Sequence, residues 1–154
     1  RGRNHRTLVY GTYNASPDAV LAALRVLAGL DAERRIAFLG DMLELGDTEV
    51  EEHARVLEAA TQHADTVHAV GDLMAKGAAL LPDYVFERIP LHDSSNDLAA
   101  ALGDGLIDFR PTDAYLVKGS QGTRMERVSE ALLHDSLDAA DVLPRQSKSW
   151  KQIA

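Results

Sequence analysis

The stretch "YLVKGSQGTRME", Tyr115 to Glu126, runs from apolar residues into Lys118, Gly119 and Ser120 and then into a segment with helical character. A strand that ends in a glycine-rich turn before a helix leaves unpaired backbone N–H groups at the helix N-terminus, where the helix dipole favours an anion. Lys118 adds a cation and Ser120 a hydroxyl, so the junction has the parts of a cradle for a phosphate or carboxylate. Glycine also serves plain tight connections, and a solvated lysine beside a structural turn is the competing account. Arg124 and Glu126 follow in the first turn of the expected helix. Glu126 complements the dipole there and Arg124 does not, which leaves Arg124 for a ligand, another domain or a surface ion pair.

A second group sits in "LGDMLELG". Asp41 and Glu44 are close enough in sequence to face one site and bind a cation or an ammonium group, with helix capping or solvation as the alternative for at least one of them. His53 follows Glu49 by one helical turn, so an imidazole–carboxylate pair and an ordinary packed histidine are both open. His5, His63, His68, His92 and His134 show no paired-ligand spacing, and no dedicated metal cage is expected.

Strand-like and helix-like segments alternate to position these residues. "TLVYGTY" reads as a strand and "NASPDAVLAALRVLAG" as the helix after it, with Ser16 as cap, Pro17 at the first position, Asp18 in the first turn and Gly29 at the end. "RRIAFLG", "TVHAVG", a weaker "YVFERI" and "DAYLVKG" read as further strands. The helices between and after them are "DTEVEEHARVLEAATQH", "DLMAKGAALL", "SSNDLAAALGDGL" and "RMERVSEALLHD". Short apolar strands alternating with amphipathic helices predict right-handed crossovers and an α/β, three-layer, Rossmann-like doubly wound domain. Its mainly parallel sheet of about six strands carries helices on both faces. The tail "AADVLPRQSKSWKQIA" is expected to add an edge strand or pack across the sheet. In such sheets ligands bind at the carboxyl ends of the strands, which brings Tyr13, Asn14, Gly40, Asp41, Glu44, Gly71, Asp72, Lys118, Gly119 and Ser120 toward one rim.

Composition narrows the function. A single domain is the expectation for 154 residues. A formal charge of -8 argues against nucleic-acid binding, which needs clustered Lys and Arg. The absence of cysteine fits a reducing compartment and an expected cytoplasmic location. No apolar run approaches the ~20 residues that span a bilayer, so membrane insertion is not expected. There is no G-x-x-x-x-G-K-[ST], no G-x-G-x-x-G opening the first helix and no G-x-S-x-G, which lowers ATP-phosphate cradling, dinucleotide binding and serine hydrolysis by this chain alone.

Three stretches, "TYNASPDAVLAAL", "RRIAFLGDMLELG" with His53 downstream, and "YLVKGSQGTRMERV", resemble in order the C-terminal domain of the Mur ligases, closest to the MurF type that joins D-alanyl-D-alanine to UDP-N-acetylmuramoyl-tripeptide. The resemblance covers most of the chain from Gly2 to Leu133. It implies a domain of an ATP-dependent amide ligase of peptidoglycan synthesis, in which an N-terminal domain holds the UDP-sugar and a central domain holds ATP and Mg2+. The C-terminal domain closes to bring in the amine that attacks an acyl phosphate. Residues 1–154 would be that one domain, with 1–6 as the link from a central domain and 140–154 as a tail. The chain alone would be a monomer, inactive, without catalytic residues of its own and without bound ATP or Mg2+. Its partners would be D-Ala-D-Ala, the UDP-MurNAc-peptide and the N-terminal and central domains. By the same resemblance Lys118, Gly119 and Ser120 fall near the dipeptide, and Tyr13 and Asn14 near the nucleotide and active cleft; Arg124, Asp41 and Glu44 are added as candidate substrate contacts and His53 as a nucleotide-proximal residue.

The sequence also departs from that pattern. Tyr10 and Gly11 stand where the family usually has two aspartates, one associated with the ribose of ATP, Gln121 and Thr123 stand where arginine and methionine are usual, and Ser16 replaces an asparagine. The alternatives are a stand-alone non-catalytic binding or regulatory module of the same fold, and a domain of a folylpolyglutamate or cyanophycin-type ligase. The Asp-x-x-His-Asn arrangement of those ligases is absent from "YGTYNASP".

Overall fold

The computed structural model describes residues 7–11, 16–104, 112–119, 124–125, 127–128, 131–132 and 151–153. The elements run β1 (Thr7–Gly11), α1 (Pro17–Ala28), β2 (Arg34–Gly40), α2 (Glu49–His63), β3 (Thr66–Val70), α3 (Asp72–Ala78), α4 (Asp83–Phe86), β4 (Leu91–His92), α5 (Ser95–Gly103), β5 (Asp113–Lys118) and β6 (Lys151–Ile153). The strands form one six-stranded sheet in the order β4-β3-β2-β5-β1-β6. β1 to β5 are parallel and β6 adds antiparallel to β1. The tail therefore supplies an edge strand. The doubly wound fold expected from the alternating pattern is the one observed.

Strand side chains alternate between two apolar layers, because successive residues of a strand point to opposite faces. Ala37, Leu39, Val67, Ala69, Ala114 and Leu116 pack with α1, α2 and α3 through Leu24, Leu27, Val56, Leu57 and Met74. Ile36, Phe38, Val70, Tyr115 and Val117 meet Leu98 and Leu102 of α5 and Met125, Val128 and Leu132 on the other face. Each large side chain buried this way stabilises the fold by about 2 kcal/mol. Covering both faces of a parallel sheet explains why its strands read as nearly continuous apolar runs rather than as alternating ones.

Local signals fix the helix ends. The Ser16 hydroxyl accepts from the Ala19 N–H at 3.2 Å and Pro17 opens α1, as its sequence predicts. At the other end the Arg35 guanidinium donates to the Leu27 carbonyl at 3.1 Å and also to that of Leu30, tying the α1 exit to β2. The Ser94 hydroxyl accepts from the Asp97 N–H at 3.1 Å and caps α5 in the same way.

Two expectations need correction. "YVFERI" is not a strand: Asp83–Phe86 forms the short helix α4, and the fourth strand is Leu91–His92. Pro82 and Asp83 are helix-start residues, and one turn of helix buries Val85 while leaving Tyr84 74% exposed, a pattern that the β-branched and aromatic composition masks. Arg124 is not in the first helical turn. It has a left-handed backbone (φ 55°) and precedes the helix, with its carbonyl accepting from the Arg127 N–H at 3.1 Å. Arg127, Val128, Ala131 and Leu132 are helical, in agreement with the last expected helix.

Candidate functional site

The carboxyl ends of the parallel strands form one rim. Lys118 ends β5 with Gly11, the last residue of β1, and Leu39, the last but one of β2, as its register partners, so the carboxyl ends of three adjacent strands lie side by side. Lys118 is 4% exposed and Gly119 is buried beside it. A lysine with so little contact with water answers to a specific partner rather than to solvent. Tyr13, Asn14 and Ser120, expected at the same rim, lie outside the described residues.

Past the end of β2, "GDMLELG" forms a tight rim loop whose two ends are held down. Asp41 is buried, and its carboxylate accepts from the N–H groups of Met74 (2.8 Å) and Leu73 (3.2 Å) at the start of α3. It supplies the cap that Gly71, which precedes α3 and has no side chain, cannot. Of the two acids read in this loop, Asp41 is thus occupied inside the domain and Glu44 is exposed on the rim with a left-handed backbone at φ 64°. A residue other than glycine, asparagine or aspartate in that region is uncommon, and here Gly46 at φ 73° follows two positions later.

His53 is fully buried in α2. Its Nε2 accepts from the Met42 N–H at 2.9 Å, and its Nδ1 lies 2.6 Å from the Glu49 carbonyl oxygen, which can only accept. Those partners set the ring as the Nδ1–H tautomer. The imidazole pairs with the Glu49 backbone and not with its carboxylate, and both ring nitrogens have partners within the domain. Gly77 in α3 makes this possible: a Cβ there would stand 2.7 Å from both the Ala54 nitrogen and the His53 Cβ. Sequence reasoning missed Gly77, although a glycine inside a helical pattern, "LMAKGAA", is the signal of a close helix–helix approach.

Other titratable groups are paired with one another. At the opposite end of the sheet Arg34 grips Asp113 with Nε at 3.1 Å from Oδ1 and Nη2 at 2.6 Å from Oδ2, and the Tyr115 hydroxyl donates to Oδ2 at 2.9 Å. His68 in β3 stacks on Phe38 with ring centroids 5.2 Å apart, and its Nδ1 lies 3.0 Å from Nε2 of His92 in β4. Burial first, and the neighbouring His92 second, push the His68 imidazole down to about 4, and burial lowers His92 as well. Among the described residues no three His, Asp or Glu side chains gather as a metal site, and no helix is long and apolar enough to cross a membrane.

Comparison with known proteins bears on the chain as a whole. Residues 1–121 match the family model described as "Mur ligase, glutamate ligase domain". The chain is 33% identical over 138 residues to the UDP-N-acetylmuramoyl-tripeptide--D-alanyl-D-alanine ligase of Treponema pallidum, covering 85% of this chain and 29% of that protein. It is 32% identical over 149 residues to the protein of the same name from Mycobacterium tuberculosis H37Rv, covering 84% and 29%. The chain therefore spans less than a third of the length of these relatives. In fold it is similar to the MurF ligase from Thermotoga maritima solved in complex with ADP, with TM-score 0.69 and 24% identity over 90% of this chain and 30% of that one. It is also similar to MurF from Acinetobacter baumannii, with TM-score 0.66 and 25% identity over 82% and 28%.

Proposed function

The chain belongs to the Mur ligase family through its glutamate ligase domain, and from that premise we propose that it is the C-terminal, amine-delivering domain of an ATP-dependent amide ligase of peptidoglycan precursor synthesis, adding D-Ala-D-Ala to UDP-MurNAc-tripeptide. The observation that carries this reading is the rim itself: Lys118 ends the strand between β1 and β2, Gly119 follows it, and the Asp41-anchored loop comes off the adjacent β2. A dipeptide has an anionic end and an amine end. Lys118, with Gly119, Ser120 and Arg124, would receive the carboxylate, and Glu44, the rim acid that capping leaves exposed, would face the ammonium before it loses its proton. Held at both ends, the dipeptide is oriented toward an activated acyl group, a gain in proximity rather than acid–base chemistry by this domain.

When bound on the rest of such a ligase, ATP with Mg2+ supplies the activation of the acyl group. This chain does not offer the donor set for that activation, because its sequence has no phosphate-binding G-x-x-x-x-G-K-[ST], and Tyr10 and Gly11 stand in place of an acidic pair. ATP, Mg2+ and the UDP-sugar peptide are therefore assigned to N-terminal and central domains of a longer protein, and the isolated chain to an inactive monomer in the cytoplasm. Tyr13 and Asn14 would line the cleft between this domain and the central one.

The test is a two-dimensional NMR titration of the chain with D-alanyl-D-alanine against L-alanyl-L-alanine. Stereoselective shifts at Gly119, Ser120 and the 41–46 loop support the reading. A titration that leaves these amides unmoved, alone and after a MurF central domain is added in trans, favours the second reading, a non-catalytic module of the same fold, to which the Tyr10–Gly11 pair lends weight.

A further inference from the structure

We propose that His53 is a positioning residue for recognition at the rim: by holding the Met42 N–H it sets the turn that presents Glu44. The inference rests on the reading of the rim as the dipeptide site. Four observations converge on it. Met42 is fully buried and its amide is hydrogen-bonded to His53 Nε2 across eleven residues of sequence. Asp41, next to it, is held by α3 through two N–H groups. On the far side Leu45 packs against the core. Between these anchors Leu43 and Glu44 face outward, with Glu44 in a left-handed conformation that its own side chain disfavours. A disfavoured backbone persists only where its surroundings over-determine it, and the His53–Met42 bond is the determinant that reaches the loop from α2. The ring is in turn fixed by the Glu49 carbonyl at its other nitrogen and by the close approach of Gly77.

Two substitutions separate the halves of this arrangement. In His53→Gln the side-chain oxygen reaches the place of Nε2 and can still accept from Met42, whereas in His53→Asn the amide reaches only the place of Nδ1 and can still donate to Glu49. The chain is titrated with D-alanyl-D-alanine as wild type, His53→Gln, His53→Asn and His53→Ala, and each folded variant is scored for affinity, Met42 amide exchange and the backbone coupling and carbon shifts of Glu44. The positioning role predicts that Gln keeps affinity within about threefold of wild type while Asn and Ala each lose about tenfold, the scale of one buried hydrogen bond. Met42 protection and the left-handed signature of Glu44 should follow the same division. Wild-type affinity in Asn, or a Gln variant as weak as Ala with Met42 still protected, overturns it. Absence of binding in the wild type sinks the dipeptide reading instead, and the positioning role then stands or falls on Glu44: the same left-handed signature in all four proteins overturns it.

Discussion

The Asp41 carboxylate occupies the space that a side chain on Gly71 would need: a Cβ placed there would stand 2.5 Å from each of its oxygens. Gly71 also has φ 110°, a backbone that L side chains rarely adopt, so the position rejects substitution for two independent reasons. Gly71→Ala should destabilise the domain by at least about 2 kcal/mol, read as a lower urea midpoint at unchanged slope. Asp41→Ala alone should cost about 1 kcal/mol for the lost cap. In the double variant the overlap disappears, so its loss should be smaller than the sum of the two. Strict additivity would mean that the carboxylate moves aside without cost.

Arg34 and Asp113 close the amino end of the central strands. The Asp113 side chain has no exposed area and that of Arg34 has 21%. Arg34→Ala should cost about 3 kcal/mol, because it takes the guanidinium away from a carboxylate that water does not reach. Arg34→Lys should recover only part of it, since an ammonium cannot make the two-pronged contact. Thermal unfolding of the three proteins ranks them, and a lysine variant equal to wild type would show that charge alone suffices.

His68 gives stability a pH dependence. Its folded value of about 4 lies below the ordinary 6.5 of an unfolded histidine. Between those values the unfolded chain takes up a proton that the folded one refuses, so this contribution is complete above about pH 6.5 and is lost as the pH falls toward 4. At 1.36 kcal/mol per pKa unit the full extent is about 3 kcal/mol. His92 is lowered too and acts in the same direction. Denaturant midpoints measured from pH 7.5 to 4.5 should fall more steeply for wild type than for His68→Phe, and parallel curves would remove His68 as the cause.

Lys118→Met keeps the length of the buried stem and deletes the charge. On the proposed function it should abolish D-alanyl-D-alanine-induced shifts at Gly119 while the spectrum stays dispersed. Retained stereoselective shifts would move the carboxylate site elsewhere on the rim.

The parts of this fold that are readable in the sequence are those governed by local rules. Ser16 and Pro17 announce α1, apolar runs bounded by glycine announce β2, β3 and β5, and their alternation with helices implies the parallel sheet. What is not readable depends on partners distant in the chain. Asp41 looks like a site acid until α3, 32 or 33 residues on, claims both of its oxygens. His53 looks like a partner for the Glu49 carboxylate until the fold shows its ring between the Met42 amide and the Glu49 carbonyl. β4 escapes a reading by pattern because two residues are too few to show any period, and the aromatic, β-branched segment just before it makes a better strand on composition alone.

The place of β1 in the sheet carries a consequence for how the molecule assembles. It is the first strand in the sequence, yet its neighbours are β5 and β6, with Leu8 opposite Tyr115 on one side and Ile153 on the other. Both pairings close loops of more than a hundred residues, the kind of contact that forms slowly because chain entropy is lost before any bond rewards it. On a ribosome, the β2–β3 pair with α2 between can form while β1 is still waiting for its neighbours. Of the strands of this sheet, the one that comes first in the chain is among the last to be enclosed, and until then its unpaired N–H and C=O groups are open to chaperones or to another chain.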